Sequence, residues 1–192
     1  MRCTKRHDSA KTRSATAFRM HESPVTGKTK FMTNENPLER RTGLPAFDAI
    51  RPEHVEPAVA TILREAETYL AQAEAAPLSD WDALMVPLGK VDVLFEYGWS
   101  PVSHLLGVAN SDELRDAHEA MVPSVVQFSL KSKQSRPLYD RFCALRDNEN
   151  WEKLENAQRR IITQAILSAE QAGIGLDGKA RERFNEIAQQ LS

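Results

Sequence analysis

The chain has almost no cysteine. Cys3 and Cys143 are the only two, and Cys3 lies in a polar segment, so neither a disulfide framework nor a four-cysteine zinc site can be built. A reducing compartment, the cytoplasm, is the expectation. No run approaches the roughly 18 apolar residues needed to cross a bilayer, which excludes a membrane-embedded chain. Glycine is scarce as well. Gly173 and Gly175 come nearest to a phosphate-binding loop, but the third glycine is missing and a helical pattern, not a strand, precedes them. What is present, 41% hydrophobic and 27% charged side chains in 192 residues, suits one soluble domain with a core.

Charge is unevenly spread. Residues 1–31 hold eight of the 25 Lys and Arg but only two of the 27 Asp and Glu, which leaves 17 basic and 25 acidic residues for the rest. An acidic remainder repels phosphate, so nucleic acid is not expected as a partner of the folded part. The basic segment is rich in Ser and Thr and poor in large apolar side chains, and it cannot offset its own ordering entropy. A disordered tail over 1–31 is expected. It reads as an organellar transit peptide, as a nucleic-acid arm, or as residues ahead of a true start at Met20 or Met32. The start at Met32 fits best, because the segment shows no amphipathic stripe and "TNENPLERRTGLPAFDAI" reads as a natural leader.

From Pro52 onward the apolar residues recur at three and four. Val55, Val59, Ile62, Leu63, Ala66 and Leu70 mark one helix, with Pro52 and Pro57 confined to its start. A second helix carries Trp81, Leu84, Met85, Leu88, Val91, Leu94 and Phe95, opened by a capping box from Ser79 to Asp82 and closed at Gly98. A short piece follows with Ser100 as N-cap before Pro101. Asn110 or Ser111 caps the next helix, striped by Leu114, Ala117, Met121, Val122, Val125, Val126 and Phe128 and kinked or staggered at Pro123. Leu138, Phe142 and Leu145 mark a shorter helix beyond Ser135, with Cys143 as a core-edge thiol. Asn150 caps a helix with Trp151, Leu154, Ala157, Ile161, Ile162, Ala165 and Ala169, ended at Gly173. The last helix aligns Phe184, Ile187, Ala188 and Leu191 and runs to the end of the sequence without a cap, the pattern of a cut-off helix. The fold class is all-α, an array of about six amphipathic helices with no strand.

His118-Glu119 opens like a zinc-protease helix, which needs a second His four residues after the first. That position is Val122, which has no lone pair to give, so His118 and Glu119 read as polar helix-surface residues. His21-Glu22 fails likewise, with Val25 at the ligand position and Pro24 breaking the helix. His104, alone beside Leu105 and Leu106, reads as a packed or hydrogen-bonded structural histidine. No catalytic, cofactor-binding or metal-ligating residue is expected.

The strings "LPAFDAIRPEHVEPAV", "SDWDALMVPLGKVDVLFEYGWSPVSHLLGVANSDELRDAHEAMVPSV" and "ENAQRRIITQAILSAEQAGIGL" together resemble the amino-terminal part of the oligopeptidase A and thimet-type branch of the M3 zinc metallopeptidase family. The resemblance runs from about Met32 to Ser192. It implies a large helical enzyme of two halves around a narrow channel, cleaving short peptides in the cytoplasm at a Zn²⁺ held by a His-Glu-x-x-His helix and a downstream Glu. None of that motif occurs in this sequence, so the resemblance carries over no site residue and no cofactor. It implies a truncated domain over 32–192 that is inactive alone, lines part of the channel, and partners the catalytic half. The alternative is a free-standing helical protein-interaction module.

Overall fold

The computed structural model describes residues 36–191, so the expectations placed on residues 1–31, Met32, Cys3, His21 and Glu22 lie outside the described residues. Among the described residues there are seven α-helices, four short 3₁₀ turns and no strand. The all-α expectation holds, with one helix more than the stripes suggested.

Helix α1 (Val55–Glu74) packs against later helices and against the turns ahead of it. Its periodic face, Val55, Val59, Ile62, Ala66 and Leu70, is at most 2% exposed, while Leu63 at the edge of the stripe is half-buried. Pro52 opens a 3₁₀ turn and Pro57 is the third residue of α1, where a backbone N–H has no helical partner to lose. Helix α2 (Trp81–Gly98) packs along α1. Its cap is Asp80, whose Oδ1 accepts from the Ala83 N–H at 2.9 Å, and not Ser79 as the sequence suggested. Ser79 has φ +63°, a left-handed backbone unsuited to an N-cap, and its hydroxyl donates instead to the Ala144 carbonyl at 3.2 Å. Gly98 does end α2, and it has to be small. A Cβ there would run into the Ile62 side chain and stand 3.0 Å from the Leu38 carbonyl oxygen.

Only Trp99 separates α2 from α3 (Ser100–Val108), so Ser100 is the first helical residue and makes no cap, a second correction. Helix α4 (Asp112–Lys133) begins at Ser111, whose hydroxyl accepts from the Leu114 N–H at 3.2 Å, which decides between the two candidate caps. Pro123, where a kink or stagger is expected, lies inside α4, which continues past it to Lys133. Pro123 is exposed, and the carbonyl it leaves unpaired belongs to exposed Glu119, where water reaches it. Helix α5 (Arg136–Arg146) buries Leu138, Phe142 and Leu145 as expected. Its cap, Ser135, is buried, accepts from the Leu138 N–H at 3.3 Å and donates to Glu74 Oε1 at the end of α1 at 2.6 Å.

Trp151 does not belong to the next helix. Trp151–Lys153 form a separate 3₁₀ turn, Leu154 is extended, and α6 (Asn156–Gln171) starts afresh with the Glu155 N–H donating to the Gln158 side-chain oxygen at 2.9 Å. Helix α7 (Gly178–Gln190) closes the described chain and packs chiefly on α4.

Two apolar clusters meet along α1. The carboxy-terminal half of α1 shares one with α2, α4, α5 and α6, through Ile62, Leu70, Leu84, Leu94, Phe128, Phe142 and Ile162. Its first turns share the other with α3, the start of α4 and the segment ahead of α1, through Leu38, Ile50, Val59, Val102, Leu105 and Leu114. That segment, read in the sequence as a leader, is a packed strap over its described part. Leu38 is fully buried, the Asn36 side chain donates to the His54 carbonyl at 2.7 Å, and Arg41 donates to the Leu38 carbonyl at 2.9 Å.

Candidate functional site

His118 lies on the face of α4 that crosses the α2–α3 joint. Its imidazole stacks on the Trp99 indole, ring centres 4.4 Å apart and planes 14° from parallel, and its Nε2 faces the Ser103 hydroxyl at 3.4 Å. It is part-buried at the edge of the α4 stripe, a surface residue with one covered face. Burial pushes the imidazole below its ordinary pKa and outweighs the opposing field of Glu119. Glu119 is exposed one position on, and Val122 completes the mismatch to a two-histidine zinc helix. A nitrogen facing a hydroxyl beside an indole is a packing arrangement, and among the described residues no carboxylate is hydrogen-bonded to the ring.

The other singled-out residues are scattered. His104 is exposed and leans on the Phe47 ring at 5.4 Å. Cys143 is half-buried at the edge of the larger core, as its place in the stripe suggested. Gly173 closes α6 with φ +81°, and Gly175 lies in the following turn, so neither forms a phosphate loop. Among the described residues no three His, Cys, Asp or Glu side chains gather as metal ligands, and no helix is long and apolar enough to cross a membrane. The side chains present therefore do not fit a zinc centre.

A groove of about 610 Å³ lies between α1, α4 and α7, which sequence reasoning missed. Leu63 and Phe128 line it, with Glu67 and Lys131 paired at 2.9 Å from α1 to α4. Ser124, Gln127, Lys131 and Gln134 follow one another at helical spacing along α4, and Asn185 faces them from α7. Gln134 donates to Asn185 Oδ1 at 2.7 Å and to the Ala172 carbonyl at 2.9 Å. The polar row on α4 was visible in the sequence; its opposite wall was not. With its one ion pair internally neutralised, the groove offers carboxamides and a hydroxyl rather than acid–base or nucleophilic chemistry.

The family model for the N-terminal domain of neurolysin and thimet oligopeptidase matches residues 59–181. Oligopeptidase A of Escherichia coli (strain K12) is 38% identical over 159 residues, which cover 82% of this chain and 23% of the relative. From Arabidopsis thaliana, a probable cytosolic oligopeptidase A is 35% identical over 158 residues, 82% of this chain and 22% of its own. A chloroplastic and mitochondrial organellar oligopeptidase A of the same plant is 35% identical over 170 residues, 88% of this chain and 21% of its own. The chain thus spans between about a fifth and a quarter of the length of these relatives.

Proposed function

Because the chain belongs to the neurolysin/thimet oligopeptidase N-terminal domain family, we propose that it supplies the amino-terminal helical part of an oligopeptidase. In this reading it forms part of the wall of a channel that admits short peptides, and it has no hydrolytic centre of its own. The observation that carries the proposal is coverage: the match occupies 82% of this chain but 23% of a whole oligopeptidase A. The packing of His118 supports the inactive part of the reading. Its ring is committed to Trp99 and Ser103, and the position that would hold a second ligand is Val122. Zinc chemistry would then come from the family's catalytic half, which is the partner this reading requires, with short peptides as the substrate class. A cytoplasmic location suits the shortage of cysteine, and the organellar relative keeps a plastid or mitochondrion in view.

The test is complementation. The purified chain with Zn²⁺ is expected to cleave a quenched fluorescent peptide no faster than buffer. Mixed with the remaining, carboxy-terminal portion of the Escherichia coli relative, it is expected to bind and raise cleavage above either piece alone. Cleavage by the chain by itself, abolished in His118→Ala, would overturn the inactive reading. Absence of any binding to the catalytic portion would replace the channel-wall reading with that of a free-standing interaction module.

A further inference from the structure

Protein interiors hold few voids larger than a water molecule. One such void, a cavity of about 150 Å³, stands where α2, the end of α4, α5 and α6 converge. Its cause is visible on α6. Ile162 and Ile166 fill the larger core and are at most 5% exposed, whereas the adjacent row of the same helix holds Ala165 and Ala169, whose side chains stop one carbon from the backbone. Leu88 of α2 and Leu138 and Phe142 of α5 reach the space from other sides and do not close it.

Two of the hydroxyls in the lining are already engaged. Ser135, which is buried, accepts from the Leu138 N–H at 3.3 Å and donates to Glu74 Oε1 at 2.6 Å. Tyr139 lends its ring to the wall and donates its hydroxyl to the Glu170 carboxylate at 3.1 Å. The other polar residues stand toward the mouth, where Ser168 and Lys133 are exposed and Ser132 is half-buried. Among the described residues that line the cavity, Lys133 is the one charge, so a charged group drawn past the mouth would leave water without meeting a buried partner. An apolar body meets leucine, phenylalanine and alanine carbons instead. A dry cavity of about this size lined by Leu, Ile and Phe takes up benzene or xenon.

We propose that this cavity is a small-molecule site for one uncharged apolar ring of about the size of benzene, held against Leu88, Leu138, Phe142 and the two alanines. The volume sets the size of the occupant, and the engaged hydroxyls together with the lack of a buried charge set its chemistry. The cavity shares no lining residue with the groove between α1, α4 and α7. The inference stands on packing alone and does not depend on the channel-wall reading.

Titration of the full chain with benzene, followed by methyl NMR, tests it. The methyls of Leu88, Leu138, Ala165 and Ala169 are expected to shift saturably in the ring current, while those of Val55 and Val102 in the other apolar cluster stay where they are. Benzene at about ten times its measured Kd is expected to raise Tm by about 3–6 °C. Ala165→Leu grows into the space and is expected to weaken benzene by about tenfold, with the Tm of the free chain held or raised as cavity filling does. Ser168→Leu, at an exposed position, obstructs the mouth and is expected to weaken it by about the same factor, so the result does not hang on one variant folding. The site is refuted if saturating benzene leaves the four lining methyls unmoved, if Val55 and Val102 shift as much, or if both variants bind as tightly as wild type. Benzoate binding more tightly than benzene would show a carboxylate held by Lys133 and overturn the apolar reading.

Discussion

Helices α1 and α7 carry the same kind of pattern and meet opposite fates. Both align apolar residues at three and four along one face. In α1 the face lies against α2 and α4 and reaches into both apolar clusters, and Val55, Val59, Ile62 and Ala66 are fully buried. In α7 the face meets α4 alone to any extent, Ile187 stays 40% exposed and Leu191 83%. Helical periodicity says which side of a helix favours cover. How many neighbours surround that side decides whether cover is found, and that is a property of the fold.

The contrast can be broken most directly by matched truncations. Ile62→Ala is expected to cost about 2–5 kcal/mol, because the site is enclosed and cannot collapse around the lost atoms. Ile187→Ala, the same chemical change on α7, is expected to cost under about 0.5 kcal/mol. Urea unfolding of the two variants checks the pair, and equal losses would dissolve the distinction between the helices. A smaller effect sharpens the comparison at the far end of α1. Ser135→Ala removes the cap of α5 and the 2.6 Å partner of Glu74, with an expected loss of about 1–2 kcal/mol, again read as a shift of the urea midpoint.

The smallest effect is electrostatic. The folded pKa of His118 lies below its ordinary value of 6.5, so the unfolded chain takes up the proton more readily. This contribution is complete above the unfolded value and is lost as pH falls through 6.5 toward the folded one. Partial exposure keeps it small. His118→Gln is therefore expected to flatten the dependence of Tm on pH between about 7.5 and 5. A wild-type curve with the same slope as the variant would remove the role assigned to burial.

Much of this was legible in the residues, and the failures have local causes. The stripes of α1 and α5 were read correctly because almost every marked residue found cover. The cap of α2 was misplaced by one residue since Ser79 and Asp80 both carry capping oxygens, and only the backbone angle at Ser79 separates them. Trp151 was drawn into α6 because it falls in step with Leu154 and Ala157, although the Glu155-x-x-Gln158 pair held the true start in plain view. The Trp99–His118 stack and the Gln134 node were out of reach. Each joins residues distant in sequence through the way α4 crosses other helices, and no spacing rule encodes a crossing.

The buried strap residue Leu38 has a consequence in time. Its socket includes Val102, Leu105 and Leu114, and its carbonyl lies under Gly98, sixty residues further along the chain. A ribosome adding about 5–20 residues per second needs about 4–15 seconds to run from Leu38 to Leu114, the last of that socket. Leu38 emerges long before the surfaces that receive it. For those seconds the growing chain shows the cell an apolar side chain that the finished protein hides completely, and the interval closes only when α3 and the start of α4 arrive.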